Sequence, residues 1–117
     1  MKIVSVVFSP EAREAYERLK AEAAHSKTDK SVFNAVNRKV ELIKADIHYG
    51  EPIAKTLIPR EYVEKYGVKN LFWVGLPNFW RMLYSLTNGN TRIEIVAFVV
   101  DILAHPDYDG KFGYKKK

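Results

Sequence analysis

The second half of the chain contains three apolar runs, and a turn sequence separates the last two. The runs cover residues 71–76, 79–86 and 93–100. Asn88-Gly89-Asn90 lies between the second run and the third. Asn-Gly between β-branched and aromatic runs is a strong hairpin signal, because both central residues of a type I′ turn need a positive φ angle. The pattern therefore predicts a β-hairpin closed by a type I′ turn.

A single charge interrupts each of the two runs in this hairpin. Arg81 lies in the run before the turn, Glu94 lies in the run after it, and Arg92 is beside the turn. A charged side chain in an apolar strand must reach solvent or be buried at a high free-energy cost. We therefore expect Arg81 and Glu94 to share an open face of the sheet, and we look for function on that face.

The beginning of the chain predicts a strand followed by a helix. Residues 2–8 are rich in β-branched side chains and end at Ser9-Pro10. Ser9 is the expected helix cap and Pro10 fits the first helical position. Apolar residues then recur at helical spacing to about Ala24. An N-terminal strand and a first helix are therefore expected.

A second amphipathic stretch follows after a short polar link. Apolar residues recur every three or four positions from Val32 to Ile47, and the stretch ends before Gly50. The candidate N-caps of this helix are Thr28, Asp29 and Ser31. Two helices joined by so short a link must form an antiparallel hairpin.

These elements predict one α+β domain over residues 1–117. Its N-terminal strand precedes an antiparallel two-helix hairpin, which packs on one side of an antiparallel β-sheet as a two-layer sandwich. Residues 50–70 form a connector without a clean period, in which the stretch from Pro59 to Gly67 favours one or two helical turns. Residues 93–103 are long enough to continue beside the N-terminal strand.

Composition narrows the chemistry that the chain can perform. It has no cysteine, and its three histidines lack metal-ligand spacing, so we expect no disulfide, no thiol nucleophile, no metal and no cofactor. No apolar run has the length of a signal core or a membrane span, so we expect a cytoplasmic protein without a membrane partner. The net charge of +5 favours anionic partners. Lysines crowd the last seven residues, which predicts a basic tail from about residue 109.

Two groups of residues resemble a known family. They are Trp-Arg-Met-Leu-Tyr at residues 80–84 and, after a β-rich run, His-x-x-Tyr at 105–108 with Phe-Gly-Tyr at 112–114. This combination resembles the RelE/ParE superfamily of type II toxins, whose fold has the same order of a strand, two helices and antiparallel strands. The resemblance implies an mRNA endonuclease that acts without metal, often on the ribosome, and is held in check by an antitoxin. Members that poison DNA gyrase share the fold and lack the nuclease residues.

Metal-free RNA cleavage determines which residue types the site needs. The 2′-hydroxyl attacks the adjacent phosphate, which requires a base, cations for the phosphoryl oxygens and an acid for the leaving 5′-oxygen. Arg81 is the predicted phosphate clamp, because its guanidinium matches phosphate bidentately and a strand holds it rigidly. It also matches the strand arginine of the family. The alternative is that Arg81 is only a cross-strand ion-pair partner of Glu94.

Four residues are candidates for proton transfer. Histidine titrates near neutrality, so His105 suits an acid or a base, and it matches the histidine of some family nucleases. Its alternative is an ordinary loop residue at the end of a strand. Tyr108 and Tyr114 are candidates to orient or protonate the leaving group or to stack on an unpaired base, and the alternative for both is packing on the sheet. Glu51 in the connector is the candidate base.

Further cations and aromatic residues are candidates for binding. The cations predicted to bind RNA are Lys55, Arg60, Arg92 and Lys111. Trp73 and Trp80 alternate with Phe72 and Phe79, so one set faces the helices and the other is expected to be exposed. Exposed aromatic side chains suit an antitoxin segment at least as well as an RNA base.

A non-catalytic relative is the alternative to the nuclease. Family nucleases commonly have a basic residue after the histidine, whereas this chain has Pro106, and Asp107 and Asp109 add charge that repels RNA. The alternative function is protein binding, either as a gyrase inhibitor or as a module whose sheet pairs with an antitoxin or another acidic partner. Convergence of Arg81, His105 and a C-terminal tyrosine on one positive surface favours the nuclease. A buried or averted His105 favours protein binding.

Overall fold

The computed structural model describes residues 3–91 and 93–113. Within these residues the five strands are β1 (Ile3–Phe8), β2 (Glu51–Pro52), β3 (Phe72–Gly75), β4 (Arg81–Asn88) and β5 (Glu94–Leu103). The four helices of the same residues are α1 (Pro10–Glu22), α2 (Lys27–Ala45), α3 (Arg60–Tyr66) and α4 (His105–Phe112). Short 3-10 turns lie at Lys55–Leu57 and Pro77–Phe79. The predicted α+β class is therefore confirmed.

The strands form one mixed sheet with the order β1-β5-β4-β3-β2. The predicted hairpin is confirmed as β4 and β5, and β5 also pairs with β1. The predicted all-antiparallel sheet is wrong, because β1 runs parallel to β5, from Ile3 opposite Glu94 to Phe8 opposite Val99. Side chains alternate with a period of two in both kinds of ladder, so the sequence pattern carried no information about strand direction.

The helix caps agree with the sequence for α1 and differ for α2. Ser9 caps α1 as predicted, with its Oγ accepting from the Ala12 N–H at 3.0 Å. The predicted caps of α2 are wrong, because the Ser26 Oγ accepts from the Asp29 N–H at 3.1 Å and the helix begins at Lys27. The first turn of α2 is polar, so its apolar periodicity begins about one turn later than the helix does.

We call the side of the sheet that α1 and α2 cover the front face. It carries Met82, Tyr84 and Val99, which are fully buried. The helix residues in this core are Ala12, Ala15, Leu19, Val32, Ala35, Val36 and Ile43. The Tyr84 hydroxyl accepts from the Gly50 N–H at 2.9 Å and donates to the Ile47 carbonyl at 2.8 Å. These two bonds fix the path of the chain from α2 into β2.

We call the opposite side the back face. It carries Arg81, Leu83 and Val100, and the last two are buried together with Tyr62 of α3 and Tyr108 of α4. The prediction of a two-layer sandwich is therefore wrong, and the face that carries Arg81 is covered over Leu83 and Val100 and is only partly open. A third layer of short helices covers this part of the sheet. The back face is more open near the other end of β4, where a groove of about 510 Å³ is lined by Asn70, Ser85, Thr87, Val96 and Phe98 among others.

The connector and the C-terminal stretch supply the two helices of this third layer. The helix predicted between Pro59 and Gly67 is confirmed as α3, and Gly67 ends it with a φ angle of 64°. Residues 109–112, where the predicted basic tail begins, complete α4 before Gly113 at a φ of 75°. No helix of the described residues is both long and apolar enough to cross a membrane.

A bulge in β5 determines which side chains reach the back face. Leu83 pairs with Asp101, whereas the next residue, Tyr84, pairs with Val99, so Val100 is an extra residue in the ladder. Strict alternation from Val99 places residue 101 on the front face, in the apolar core. The bulge shifts the alternation by one, and Asp101 therefore faces Tyr62 on the back.

The turn after β4 differs from the prediction. Asn88 pairs with Ile95, so the loop after β4 is longer than two residues, and Gly89 does not adopt a left-handed φ. The predicted type I′ turn is therefore wrong. Glu94 holds the loop: its carbonyl accepts from the Gly89 N–H, and its side chain accepts from the Asn90 N–H. Arg92 of this loop lies outside the described residues.

Candidate functional site

Arg81 begins β4 on the back face, and two aromatic rings hold its guanidinium. The Arg81 Cζ lies 4.2 Å from the ring centroid of Trp73 and 4.6 Å from that of Tyr108. Trp73 belongs to the neighbouring strand β3, and Tyr108 lies one turn into α4. Stacking of a cation on an aromatic ring stabilises it by about 0.5–2 kcal/mol per contact. Two such contacts fix the plane of the guanidinium and leave its N–H edge as the binding surface.

The charge of Arg81 is not neutralised by any carboxylate of the described residues, all of which lie beyond 4 Å. Pairing with Glu94 is wrong, although the two side chains share the back face as predicted. Arg81 pairs with Leu103, whereas Glu94 lies at the other end of β5 and accepts from the Ser5 hydroxyl at 3.3 Å. Arg81 is therefore available to an anion from outside the described chain.

His105 begins α4 at the same end of the sheet. Leu103, the register partner of Arg81, precedes His105 by two residues. The His105 Nε2 lies 3.3 Å from the Asp109 Oδ2, and half of its side chain is exposed. His105 is therefore neither buried nor isolated, and residues 105 and 108 are neighbours on one side of α4.

Tyr108 connects the histidine turn of α4 to Arg81. It is only 5% exposed, and its ring stacks on Phe112 with centroids 4.5 Å apart. A ring held in this way suits a residue that positions the arginine better than one that moves toward a substrate. Tyr114, the other candidate tyrosine, lies outside the described residues.

Glu51 and Lys55 lie further along the connector and are both exposed. Glu51 is in β2 directly opposite Trp73, so its side chain lies on the same face as the ring that supports Arg81. It is two strands away from Arg81 and does not contact it. Lys55 is in the 3-10 turn after β2 and has no ion-pair partner among the described residues.

The structure pairs the two remaining candidate cations with carboxylates of α3. Arg60 Nε lies 3.3 Å from Glu64 Oε2 within the same exposed helix. Lys111 of α4 forms an ion pair with Glu61. The Lys111 pair joins α3 to α4 and is only partly exposed, so this lysine is a structural contact in the described chain. Neither cation is in contact with Arg81.

A buried polar pair beneath α3 was not predicted. The Tyr62 hydroxyl donates to the Asp101 Oδ2 at 2.9 Å, and both residues are almost fully buried. Burial raises the pKa of the Asp101 carboxyl and also that of the Tyr62 hydroxyl. The available signal was an aspartate inside an otherwise apolar strand. That signal indicates a buried partner and does not identify it.

Carboxylates line the groove between α1 and α4. The groove has a volume of about 520 Å³, and its acidic residues are Glu11, Glu14, Glu61, Asp101 and Asp107. Glu11 accepts hydrogen bonds from Lys65 and Tyr66 of α3, and these bonds lower its pKa to about 2. Arg18 and Lys111 also line the groove, and Glu14 and Glu61 pair with these two cations. This side of α4 is therefore mixed in charge.

Within residues 3–91 and 93–113, no group of three or more histidine, aspartate or glutamate side chains is placed so that it could hold a metal ion. Comparisons with protein-family models, with curated proteins and with solved structures give no significant match.

Proposed function

We propose that this protein is the toxin of a type II toxin–antitoxin pair and that it cleaves mRNA on the ribosome without a metal. The observation that carries the proposal is Arg81, whose guanidinium lies over two aromatic rings, has no carboxylate partner among the described residues and is at the same end of the sheet as His105. A charge that the fold orients and leaves unpaired is what a phosphate site requires.

The order of the elements supports the assignment to the RelE/ParE fold. A strand and two helices come first and an antiparallel hairpin comes later in the chain, and its last strand, β5, lies between β4 and the edge strand β1. The resemblance at residues 80–84 and 105–114 adds the arginine, the histidine and the tyrosines of the family. On this assignment an antitoxin is the protein partner, and RNA on the ribosome is the substrate.

In the proposed reaction the 2′-oxygen of one nucleotide attacks the adjacent phosphorus, and the bond from phosphorus to the 5′-oxygen breaks. The products are a 2′,3′-cyclic phosphate and a 5′-hydroxyl. Arg81 binds the non-bridging oxygens and stabilises the charge that grows on them. Its stacking on Trp73 and Tyr108 holds the donor edge in place before the substrate binds, so less reorganisation is needed in the transition state.

The proton transfers are assigned to His105 and Glu51. His105 gives a proton to the leaving 5′-oxygen, and Asp109, whose Oδ2 lies 3.3 Å from the His105 Nε2, orients its imidazole. Glu51 is the candidate base for the 2′-hydroxyl, because it shares the back face with Trp73. Tyr108 acts through Arg81 and is a positioning residue.

The test is to induce the wild-type protein and Arg81→Ala in cells and to map the 5′ ends of mRNA. We expect new 5′-hydroxyl ends with the wild type and a loss of cleavage of about 100- to 1000-fold in the variant, as for removal of one transition-state donor. Arg13→Ala is the matched control. Arg13 also lies over an aromatic ring, that of Phe8 at 5.3 Å, but on α1.

Soluble expression of all variants is checked first. Cleavage that persists in Arg81→Ala, or that is lost equally in Arg13→Ala, contradicts the proposed role of Arg81. An absence of new 5′ ends with the soluble wild type contradicts the nuclease itself. Arg81→Lys keeps the charge and removes the bidentate fork, so we expect it to cleave more slowly than the wild type and faster than Arg81→Ala.

The second candidate function is protein binding without catalysis, as a gyrase inhibitor or a partner-binding module. The observation that favours it is the pairing of Arg60 and Lys111 with glutamates, because these two cations are then not free to bind RNA. The same induction experiment separates the two functions. Growth arrest by the wild type without mRNA cleavage, together with inhibition of purified DNA gyrase, favours protein binding.

A further inference from the structure

The turn between β3 and β4 carries an exposed aromatic ring in an unfavourable backbone conformation. Phe79 is 79% exposed, the largest exposure among the large apolar residues that reach the surface. Its φ angle is 64° and that of Asn78 is 61°, so both residues are left-handed. Asparagine tolerates this region, whereas a bulky residue there is an outlier. Neither packing nor turn geometry accounts for a phenylalanine at this position.

The left-handed turn places the Phe79 ring beside the candidate active site. Its centroid lies 6.0 Å from the His105 ring, at an angle of 48° between the planes. The register explains this approach, because Arg81 pairs with Leu103 and each of the two rings lies two residues beyond that pair. His105 in turn lies one turn before Tyr108, whose ring is 4.6 Å from the Arg81 Cζ, so Phe79, His105 and Arg81 are connected through α4 at this end of the sheet.

We propose that Phe79 is a stacking platform for an unpaired RNA base next to the phosphate that Arg81 binds. This inference rests on the proposed nuclease function and names the part of the substrate that the site recognises. A nucleotide combines an anionic phosphate with a flat apolar base. This end of the sheet offers a guanidinium that has no carboxylate partner among the described residues, and an exposed flat ring. Stacking on an aromatic side chain is the usual way in which proteins bind single-stranded RNA bases.

The neighbourhood of Phe79 favours a nucleotide over a protein partner. A protein anchor lies at the centre of an apolar patch, because surrounding contacts must exclude water. The turn residue Asn78 and the half-exposed His105 border Phe79, and both are polar. The other large exposed apolar residues are Ile3, Val7, Leu42, Tyr49, Leu57, Val63 and Ile93. None of them belongs to the turn or to α4.

The test measures RNA affinity separately from cleavage. The probe is a fluorescein-labelled single strand of about twelve nucleotides, a length within the range of single-strand sites. Every nucleotide carries a 2′-O-methyl group, which removes the attacking hydroxyl, so the strand binds without being cut. Fluorescence anisotropy gives the dissociation constant for the wild type, Phe79→Ala, Phe79→Leu and Phe79→Trp. Leu42→Ala, on α2, is the matched control for the loss of an exposed apolar side chain.

We expect Phe79→Ala and Phe79→Leu to weaken binding by about five- to one-hundred-fold, the range for loss of one stacked base. Phe79→Trp should bind as the wild type or more tightly, and Leu42→Ala should not change. Placing an abasic nucleotide at each position in turn tests the pairing directly. At one position the abasic strand should bind the wild type and Phe79→Ala equally, because the base and the ring form a single contact.

If the wild type, Phe79→Ala and Phe79→Leu bind RNA with equal affinity and Arg81→Ala binds it more weakly, the stacking inference is overturned. The proposed phosphate site at Arg81 is then still supported. A wild-type protein that binds no RNA overturns both. A photoreactive p-benzoylphenylalanine at position 79 identifies the occupant in cells. Cross-links to RNA support the proposal, and cross-links to protein that resist ribonuclease overturn it in favour of a protein docking site.

Discussion

The front face of the sheet is covered by almost entirely apolar contacts, whereas the back face places charged and polar side chains against its apolar core. On the front, the buried polar group of the strands is the Tyr84 hydroxyl, and backbone groups satisfy it. On the back, Asp101 is buried with Tyr62, and Arg81 is half-buried between two rings. The back layer therefore combines packing with chemistry, and the front layer supplies packing alone.

The difference follows from the elements that cover each face. The helices α1 and α2 have 13 and 19 residues and present long apolar stripes. The helices α3 and α4 have seven and eight residues and bury one tyrosine each. Short helices leave the sheet partly uncovered at their ends, and Arg81 lies at such an end. Polar side chains are retained there because they can be partly hydrated or paired.

The first prediction asks whether the back layer is a true core. Met82 and Leu83 are neighbours in β4, both are fully buried, and they point to opposite faces. We expect Met82→Ala and Leu83→Ala each to lower the free energy of unfolding by about 2–5 kcal/mol, because each leaves a cavity. Urea denaturation measures both. If Leu83→Ala lowered the free energy of unfolding much less than Met82→Ala does, α3 and α4 would be only loosely packed on the sheet.

The second prediction concerns the buried carboxylate. Asp101→Ala leaves the Tyr62 hydroxyl buried without its acceptor, whereas Asp101→Asn keeps an acceptor of the same size. We expect Asp101→Ala to be less stable than Asp101→Asn by about 1–3 kcal/mol. Equal stability of the two variants would show that water reaches Tyr62 in the folded protein.

The pH dependence of the same pair gives a further check on burial. Burial raises the pKa of Asp101 in the folded protein, so the folded state favours the protonated carboxyl. Its contribution to stability is greatest below the ordinary aspartate pKa and declines as the pH rises through the raised value. We therefore expect the stability of Asp101→Asn relative to the wild type to increase over that interval. A constant difference would contradict the burial of a titrating carboxyl.

Sequence reasoning identified the elements whose signal is local. The apolar stripe of α2, the β4–β5 hairpin and the Gly67 end of α3 depend on residues close together in the chain. The parallel pairing of β1 with β5 depends on residues about 90 positions apart, and alternation does not encode direction. The bulge at Val100 has no local signal either. It decides whether Asp101 is buried on the front face or on the back face, and the residues around Val100 do not specify which.

The sequence pattern did not predict the helix α4, and the reason is related. Pro106 and Asp107 suit the first turn of a helix, but the helix has only eight residues and contains Gly110, a poor helix former. The helix forms because Tyr108 and Phe112 are one turn apart and pack together on the back face. Tertiary packing therefore outweighs a weak local preference, as is common for short helices.

For the candidate site, sequence reasoning identified residue types and could not identify partners. Arg81, His105 and Tyr108 lie at one end of the sheet, as the nuclease hypothesis requires. The support of Arg81 by Trp73 and the pairing of Lys111 with Glu61 depend on which face each strand and helix presents. The sheet order and the bulge determine which face each element presents, and the sequence pattern predicted neither of them.

The smallest expected effect concerns the hydrogen bonds and ion pair that join α1, on the front face, to α3, on the back face. Glu11 begins α1, which covers the front face, and accepts hydrogen bonds from Lys65 and Tyr66 of α3, which covers the back. Those bonds lower its pKa from 4.5 to about 2, so the ionised form stabilises the folded state. The contribution is present above about pH 4.5 and is lost as the pH falls toward 2.

We therefore expect Glu11→Gln to be slightly less stable than the wild type at pH 6 and to match it near pH 2. The loss should also shrink at high salt, because the pair is partly exposed and solvent screens it. Glu14→Gln is the matched control, since Glu14 is a more exposed carboxylate of α1 that pairs with Arg18 of its own helix. Thermal unfolding across the pH range measures both variants. If Glu11→Gln behaved like Glu14→Gln at every pH, the two layers would be held together through the sheet alone.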